Sequence, residues 1–268
     1  MIAAIPFALA LLAPTQNGWA KSDDKSTVQI PYEVHDAVVK SLQEALEAQS
    51  KRDYQLSLAL LHGVIYNDGV SISVAPETPV PTSAAKDGIN RALQTWASAL
   101  TGDDPIKFTS NSDKADVLIK FVDKVPESGN DALGLIKLKK QYRWNKSRYE
   151  IEISGTIYIQ THYERTPLNA AQYNEVIAHE LGHLLGLDDM PNTGQLMGPM
   201  IVDKPVSGPN QRETYAVQFV RNQAKKQWNS VLENIKQDAT HADSSNGYYL
   251  ETNYLASCTG KGHGQHGK

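Results

Sequence analysis

Apolar residues recur at helical spacing through the first quarter of the chain. Residues 32–66 carry two apolar stripes on either side of a short polar turn at 51–53, and this pattern predicts an αα-hairpin. Residues 75–83 contain three prolines and predict a linker, because proline interrupts regular backbone hydrogen bonding. We therefore assign residues 21–74 to an N-terminal helical region that ends at a Pro-rich linker.

Residues 84–237 mix helical and strand-like patterns and form the predicted main domain. Helical spacing at 84–100, 170–185 and 211–236 frames four strand-like runs, at 106–108, 117–122, 133–142 and 149–161. In the last run apolar and polar residues alternate, and Gly155 predicts a bulge at which the exposed face switches. This order of elements predicts an α+β domain of ordinary size. The polar tail, residues 238–268, predicts disorder.

Composition and charge limit the function. The chain has 268 residues, of which 40% are hydrophobic and 21% charged, as in folded soluble proteins. Its net charge of -4 and the absence of a basic block give no reason to expect nucleic acid as a partner. Residues 1–20 combine an apolar segment with small residues at its end, which predicts a signal peptide cleaved after Ala20. That segment is too short to span a bilayer, so we expect a secreted protein without stable membrane insertion after signal removal. We also expect a monomer.

The candidate chemistry lies on the predicted helix 170–185, for which Asn169 is a candidate N-cap. His179 and His183 are four residues apart, so both imidazoles leave one face of the helix and can hold one metal ion. Glu180 follows the first histidine and can reach a water molecule at that ion. This HExxH pattern is typical of zinc-dependent peptidases.

The residues after this helix complete the pattern. Gly186 permits a sharp turn, and Asp189 then arrives where a third metal ligand is needed. The spacing favours Asp189, but the neighbouring Asp188 leaves the choice of ligand open. By chance, HExxH followed by a glycine and an aspartate at these spacings is far rarer than HExxH alone.

The motif and the loop after it resemble the metzincin peptidases, in which a methionine-containing turn follows the zinc motif. The resemblance is close over residues 174–199 and looser over 84–237. The run Leu196-Met197-Gly198-Pro199 is most similar to the turn of bacterial matrixins, and an aspartate as third ligand is similar to the snapalysin-like variant. The resemblance implies a metzincin-type fold, with a twisted mixed sheet, an active-site helix, a methionine turn and a C-terminal helix.

The same resemblance implies a role for each residue of the motif. His179, His183 and Asp189 would hold one catalytic Zn²⁺, and Glu180 would act as general base, with Met197 as the floor beneath the metal. The implied function is a secreted zinc-dependent endopeptidase that acts on protein or peptide substrates. Structural Ca²⁺ is compatible with matrixin-like domains, but no Asp/Asn loop here is specific enough to assign its ligands.

Two alternatives remain open at this point. A non-catalytic metal-binding or adhesion module on a metzincin fold would be favoured by the loss of Glu180 or of a ligand, and neither is lost. The N-terminal helical region is either an inhibitory propeptide, with Asp68 as a carboxylate that reaches the metal, or a structural cap. Because Cys258 is the only cysteine, a cysteine latch on the metal is excluded unless the tail itself reaches the site.

Overall fold

The computed structural model describes residues 29–78, 81–100, 104–127, 132–145, 148–238 and 249–259. The predicted signal peptide, residues 1–20, lies outside these ranges. Residues 21–28 and two parts of the predicted tail, 239–248 and 260–268, lie outside them as well.

The described residues form five α-helices: α1 (Asp36–Ser50), α2 (Tyr54–Ile65), α3 (Ser83–Leu100), α4 (Ala170–Leu184) and α5 (Gln211–Asp238). The first two form the predicted hairpin. Asp53 lies in the turn between the two helices and is the N-cap of α2, because its carboxylate accepts a hydrogen bond from the Leu56 N–H at 3.2 Å. Within the ranges described, none of the helices has the length and apolar character needed to cross a membrane.

The central sheet contains six described strands: β1 (Val70–Val74), β2 (Ile106–Phe108), β3 (Val117–Val122), β4 (Ala132–Asn145), β5 (Arg148–Gln160) and β8 (Tyr249–Thr259). The strand order is β2-β1-β3-β5-β4-β8. The first four strands in this order are parallel, and β4 runs antiparallel to both of its neighbours. Two short strands, β6 (His162–Tyr163) and β7 (Thr166–Pro167), form a separate ladder. The mixed sheet and its helices confirm the predicted α+β class.

Helices α3 and α4 pack closely against each other. Gly88 permits the contact, because a Cβ at that position would lie 2.4 Å from the Cβ of Tyr173. Further along, the indole N–H of Trp96 donates a hydrogen bond to the Ala178 carbonyl at 2.8 Å, within the buried core. Helix α3 therefore supports the helix that carries the HExxH pattern.

Residues 70–74 form β1, in the interior of the sheet between β2 and β3. Their assignment to the N-terminal helical region is wrong for this reason. The strand pairs in parallel with β3, Ile72 lying beside Val117, so its partner is far away in the sequence. A five-residue run shows too little periodicity to reveal such a partner.

The predicted bulge at Gly155 is absent. Strands β4 and β5 pair in one register along their length, so the odd-numbered residues of β5 stay on one face, with Ile157 and Ile159 buried there. Glycine is needed at 155 for another reason, since a Cβ would lie 2.8 Å from the Lys137 carbonyl oxygen on β4.

The helical hairpin and strand β8 both take part in the fold. Leu42, Ala45 and Leu61 of the hairpin belong to the same buried cluster as Val176 and Leu181 of α4. The Pro-rich segment therefore does not separate two packed cores. At the other end, β8 pairs with β4 in the sheet, so the prediction of a disordered tail is wrong for residues 249–259.

Candidate metal centre

Helix α4 is fixed in place at its start and along its length. The Asn169 side chain accepts hydrogen bonds from the N–H groups of Ala171 and Gln172 at 2.9 and 3.1 Å. The Gln172 side-chain oxygen in turn accepts a hydrogen bond from the Asn169 N–H at 2.7 Å, which completes a capping box. Every residue from Gln172 to Leu184 is buried. The predicted N-cap at Asn169 is confirmed, and the helix enters the core as a rigid element.

The two histidines of α4 are oriented by backbone carbonyls. Nδ1 of His179 lies 2.7 Å from the Leu196 carbonyl oxygen, and Nδ1 of His183 lies 3.0 Å from that of Leu187. Because a carbonyl oxygen can only accept, each Nδ1 carries the hydrogen and each Nε2 keeps its lone pair. Both imidazoles are buried. This is the arrangement in which a histidine is prepared to bind a metal.

The third member of the group is Asp189. Its Oδ1 lies 3.1 Å from Nε2 of His179 and 3.4 Å from Nε2 of His183. The candidate ligand atoms of the three residues all lie within 4.8 Å of one another. The carboxylate of Asp188 instead accepts a hydrogen bond from the Asp189 N–H at 2.9 Å. The structure thus brings Asp189 and both histidines together, and it places the Asp188 carboxylate outside the group.

The electrostatics of this group suit a cation. Partial burial would raise the pKa of Asp189, but the two imidazoles beside its carboxylate, in their protonated form, hold it well below its usual range. Burial lowers the pKa of His183, although the neighbouring Asp189 carboxylate opposes this. Two neutral imidazole nitrogens and one ionised carboxylate form a donor set that suits zinc and leaves a fourth position open. The side chain of Asp189 is 49% exposed, which marks the solvent side.

A turn and a segment from the N-terminus hold Asp189 in place. Gly186 has φ of +98°, so the helix ends in a conformation that favours glycine. The Gly186 carbonyl accepts a hydrogen bond from the His35 N–H at 2.9 Å, and the Asp188 N–H donates to the Glu33 carbonyl at 2.8 Å. Residues 33–35 therefore pair with the turn that connects His183 to the aspartates, a contact that local sequence patterns do not reveal.

Glu180 is buried against strand β4. A Cβ added to Gly134 would lie 2.3 Å from Glu180 Oε1 and 2.8 Å from a methyl group of Val176. The carboxylate therefore occupies the space that any other residue at position 134 would fill. Gly134 is a site residue that the motif does not reveal, since nothing in the sequence predicts its contact with α4.

The methionine turn lies beneath the helix. Met197 is fully buried, and a Cβ added to Gly182 would lie 2.3 Å from its sulfur, so Gly182 makes the contact possible. The turn is held by Glu213 of α5, whose buried carboxylate accepts hydrogen bonds from the N–H groups of Met197 at 2.8 Å and Asn210 at 2.7 Å. Glu213 was not predicted, because its partners come together only when α5 packs on the turn.

Asp68 lies away from this group. Its Oδ2 is 3.6 Å from Nε2 of His62, and its side chain is 82% exposed. In the described part of the chain, the convergent group of His, Cys, Asp and Glu ligands consists of His179, His183 and Asp189. The hypothesis that Asp68 reaches the metal is therefore not supported by its position, and no ligands for calcium are assigned.

A family model of the matrixins matches residues 66–221, which is more than half of the chain. The chain belongs to the matrixin family. No curated protein matches it.

The family places the metal group in context. This matrixin is a metzincin-like zinc metallopeptidase by family, and its mixed sheet with a C-terminal helix is the fold that the resemblance implies. The family match begins at Tyr66, so β1 lies within it. Helices α1 and α2, the part of α5 after residue 221 and strand β8 lie outside it. The likeness to the snapalysin-like variant stays a prediction.

Glu175 is a second buried carboxyl on α4, one turn before His179. Burial raises the pKa of Glu175 to about 7, although the nearby backbone N–H of Val206 and the charge of His179 oppose the rise. In the unfolded chain the ordinary pKa is about 4.5. Between these two values the folded protein binds the extra proton, so its stability falls as the pH rises.

We expect Glu175→Gln to remove this pH dependence, because glutamine cannot ionise. A shift of one pKa unit corresponds to about 1.4 kcal/mol, so the wild-type protein should lose roughly 2 kcal/mol more than the variant between about pH 5 and about pH 8. Urea unfolding of both proteins across this range, in the same metal state, measures the difference. If the free energies of unfolding of the two proteins changed with pH in parallel, the Glu175 carboxyl would not be the cause of the pH dependence.

Proposed function

We propose that this matrixin is a secreted zinc endopeptidase with Glu180 as its general base. One observation carries the proposal: two buried imidazoles, each with Nδ1 held by a carbonyl, converge with Asp189, and Glu180 lies beside them on the same helix. Secretion rests on the apolar segment at residues 1–20. The proposed substrates are proteins or peptides, and we propose a monomer.

The roles of the residues follow from their positions. His179, His183 and Asp189 would hold zinc, which when bound lowers the pKa of a water ligand to about 7 and polarises a substrate carbonyl. Glu180 accepts the proton of the attacking water and passes it to the nitrogen of the leaving amine. Its carboxylate is confined between α4 and Gly134, which limits its reorientation during the transfer.

The alternative is a non-catalytic metal-binding or adhesion module. Such a module has no need of a carboxylate immediately after the first histidine, nor of a glycine on β4 that makes room for it. Both features are present here. No observation on the described residues specifically favours the alternative.

Removal and return of the metal test the proposal. We expect protein purified from the medium of an exporting bacterium to begin at Lys21 and to cleave casein and internally quenched peptides. A zinc chelator such as 1,10-phenanthroline should abolish cleavage, and zinc should restore it where magnesium does not, because the donor set contains two imidazoles. Cleavage that persists in protein shown to be free of metal would contradict the proposal.

A further inference from the structure

The two neighbours of strand β4 come from different parts of the chain. On one side lies β5, which like β4 is within the residues matched by the matrixin family model. On the other side lies β8, which comes from the end of the chain and lies outside that match. Without β8, β4 would be the edge of the sheet.

This edge leads directly to the candidate metal centre. Gly134 near the start of β4 is the residue whose missing side chain makes room for the Glu180 carboxylate. Its partner on β8 is Cys258, whereas the other end of β8, Tyr249, pairs with Arg143. Strand β8 also contacts α4. It therefore runs along the edge and reaches the register of Glu180 with its C-terminal end.

An extended peptide would use the same edge. The outer side of an edge strand offers a row of N–H and C=O groups, and an added strand satisfies them with main-chain hydrogen bonds that do not depend on sequence. A peptide held in this way along β4 would pass Glu180 at the position of Gly134. Two strands cannot use one edge at the same time, so β8 and such a peptide exclude each other.

We propose that residues 249–259 are an intramolecular inhibitor of the peptidase site and that substrate must displace β8 from β4. The inference rests on the proposed function and adds its regulation. The inhibition is competitive and is carried by main-chain pairing rather than by a particular side chain. Residues 239–248 join β8 to α5, and a tether of this length gives an effective concentration on the order of millimolar.

Truncation is the first test. Compared with the full mature chain, we expect a chain that ends at Asp238 to show a KM for a quenched peptide at least ~10-fold lower at unchanged kcat, because only the competitor is lost. The matched control ends at Thr259, retains β8 and should behave as the full chain. A synthetic peptide of residues 249–259 should inhibit the shorter chain competitively. Cys258→Ser in the full chain should leave KM unchanged.

A disulfide lock tests the same point without removing β8. Lys139 and Asn253 are partners on β4 and β8, and partners on antiparallel strands lie at a Cα separation that a disulfide can bridge. Side chains alternate between the two faces of a strand, and positions 134 and 139 of β4 therefore face opposite sides of the sheet. A disulfide at position 139 thus lies on the face away from Glu180. In the Cys258→Ser background, we expect the oxidised Lys139→Cys/Asn253→Cys chain to lose activity and the reduced chain to regain it. Each single-cysteine chain is the control.

The outcomes separate the inhibitor from the enzyme. If the truncated and oxidised chains have the KM of the full chain, the inhibitor proposal falls while the peptidase stands. If the two cysteines do not form a disulfide under oxidising conditions, β8 does not take this register and the proposal falls as well. If no form cleaves any peptide although zinc is bound, the proposed function fails and the inference fails with it.

Discussion

Glu180→Gln is expected to lower kcat by about 10²- to 10⁴-fold, the usual contribution of a general base, without loss of zinc. Glutamine has nearly the same shape as glutamate and therefore fits the space beside Gly134, but its amide cannot accept the proton of the attacking water. Because Glu180 is not one of the three converging ligands, the metal should stay bound. Turnover of a quenched peptide and zinc content by mass spectrometry provide the two measurements.

The matched control for this variant lies on the same helix. Glu175→Gln is the same substitution, at a position that is also buried, one turn before His179. We expect it to retain kcat, which would show that loss of a buried carboxyl group on α4 is not enough to stop the reaction. A Glu180→Gln enzyme that turns over peptide at the wild-type rate would rule out the proposed general base.

Asp189→Asn is expected to weaken zinc binding by more than the ~10- to 100-fold that loss of an outer-shell partner costs, because it changes a direct ligand. The substitution removes the negative charge that lies 3.1 and 3.4 Å from the two imidazole nitrogens. A neutral amide oxygen is a poorer zinc ligand than a carboxylate oxygen. Competition with a chelator of known affinity measures the zinc dissociation constant, and peptidase activity should fall in parallel.

Asp188→Asn is the control for this second prediction. It makes the same change one residue earlier, where the carboxylate accepts a backbone hydrogen bond and does not join the metal group. We expect its zinc affinity to remain within a few-fold of wild type. Strong loss of zinc in this variant, with normal binding in Asp189→Asn, would move the third ligand to Asp188.

The contacts of residues 33–35 bear on the role of the N-terminal helical region. They pair with the turn between His183 and Asp189, and the Tyr66 hydroxyl donates a hydrogen bond to the Leu184 carbonyl at 2.8 Å, close to the same turn. The helices between them share their core with α4. These contacts favour a structural cap over a removable propeptide, because removal would take away the partners of the ligand-bearing turn.

Local patterns predicted much of this protein. The helical hairpin, the strands at 106–108 and 117–122 and the N-cap at Asn169 all match the structure, because each depends on the spacing of neighbouring residues. The convergence of His179 and His183 on one helix face also depends only on local spacing. A helix of fixed pitch sets the relation between residues four apart, whatever surrounds it.

Other features depend on contacts between segments that are far apart in the sequence. β1 requires a parallel partner, β8 requires β4, and the position of Asp189 depends on a turn held by residues 33–35. Spacing along the chain limits the direction of a ligand after a glycine turn but does not determine it. Thus the HExxH pattern is readable from the sequence, whereas the position of Asp189, the room for Glu180 and the strand beside the site were decided by tertiary packing. The physical reason is that these contacts join surfaces whose proximity no local periodicity encodes.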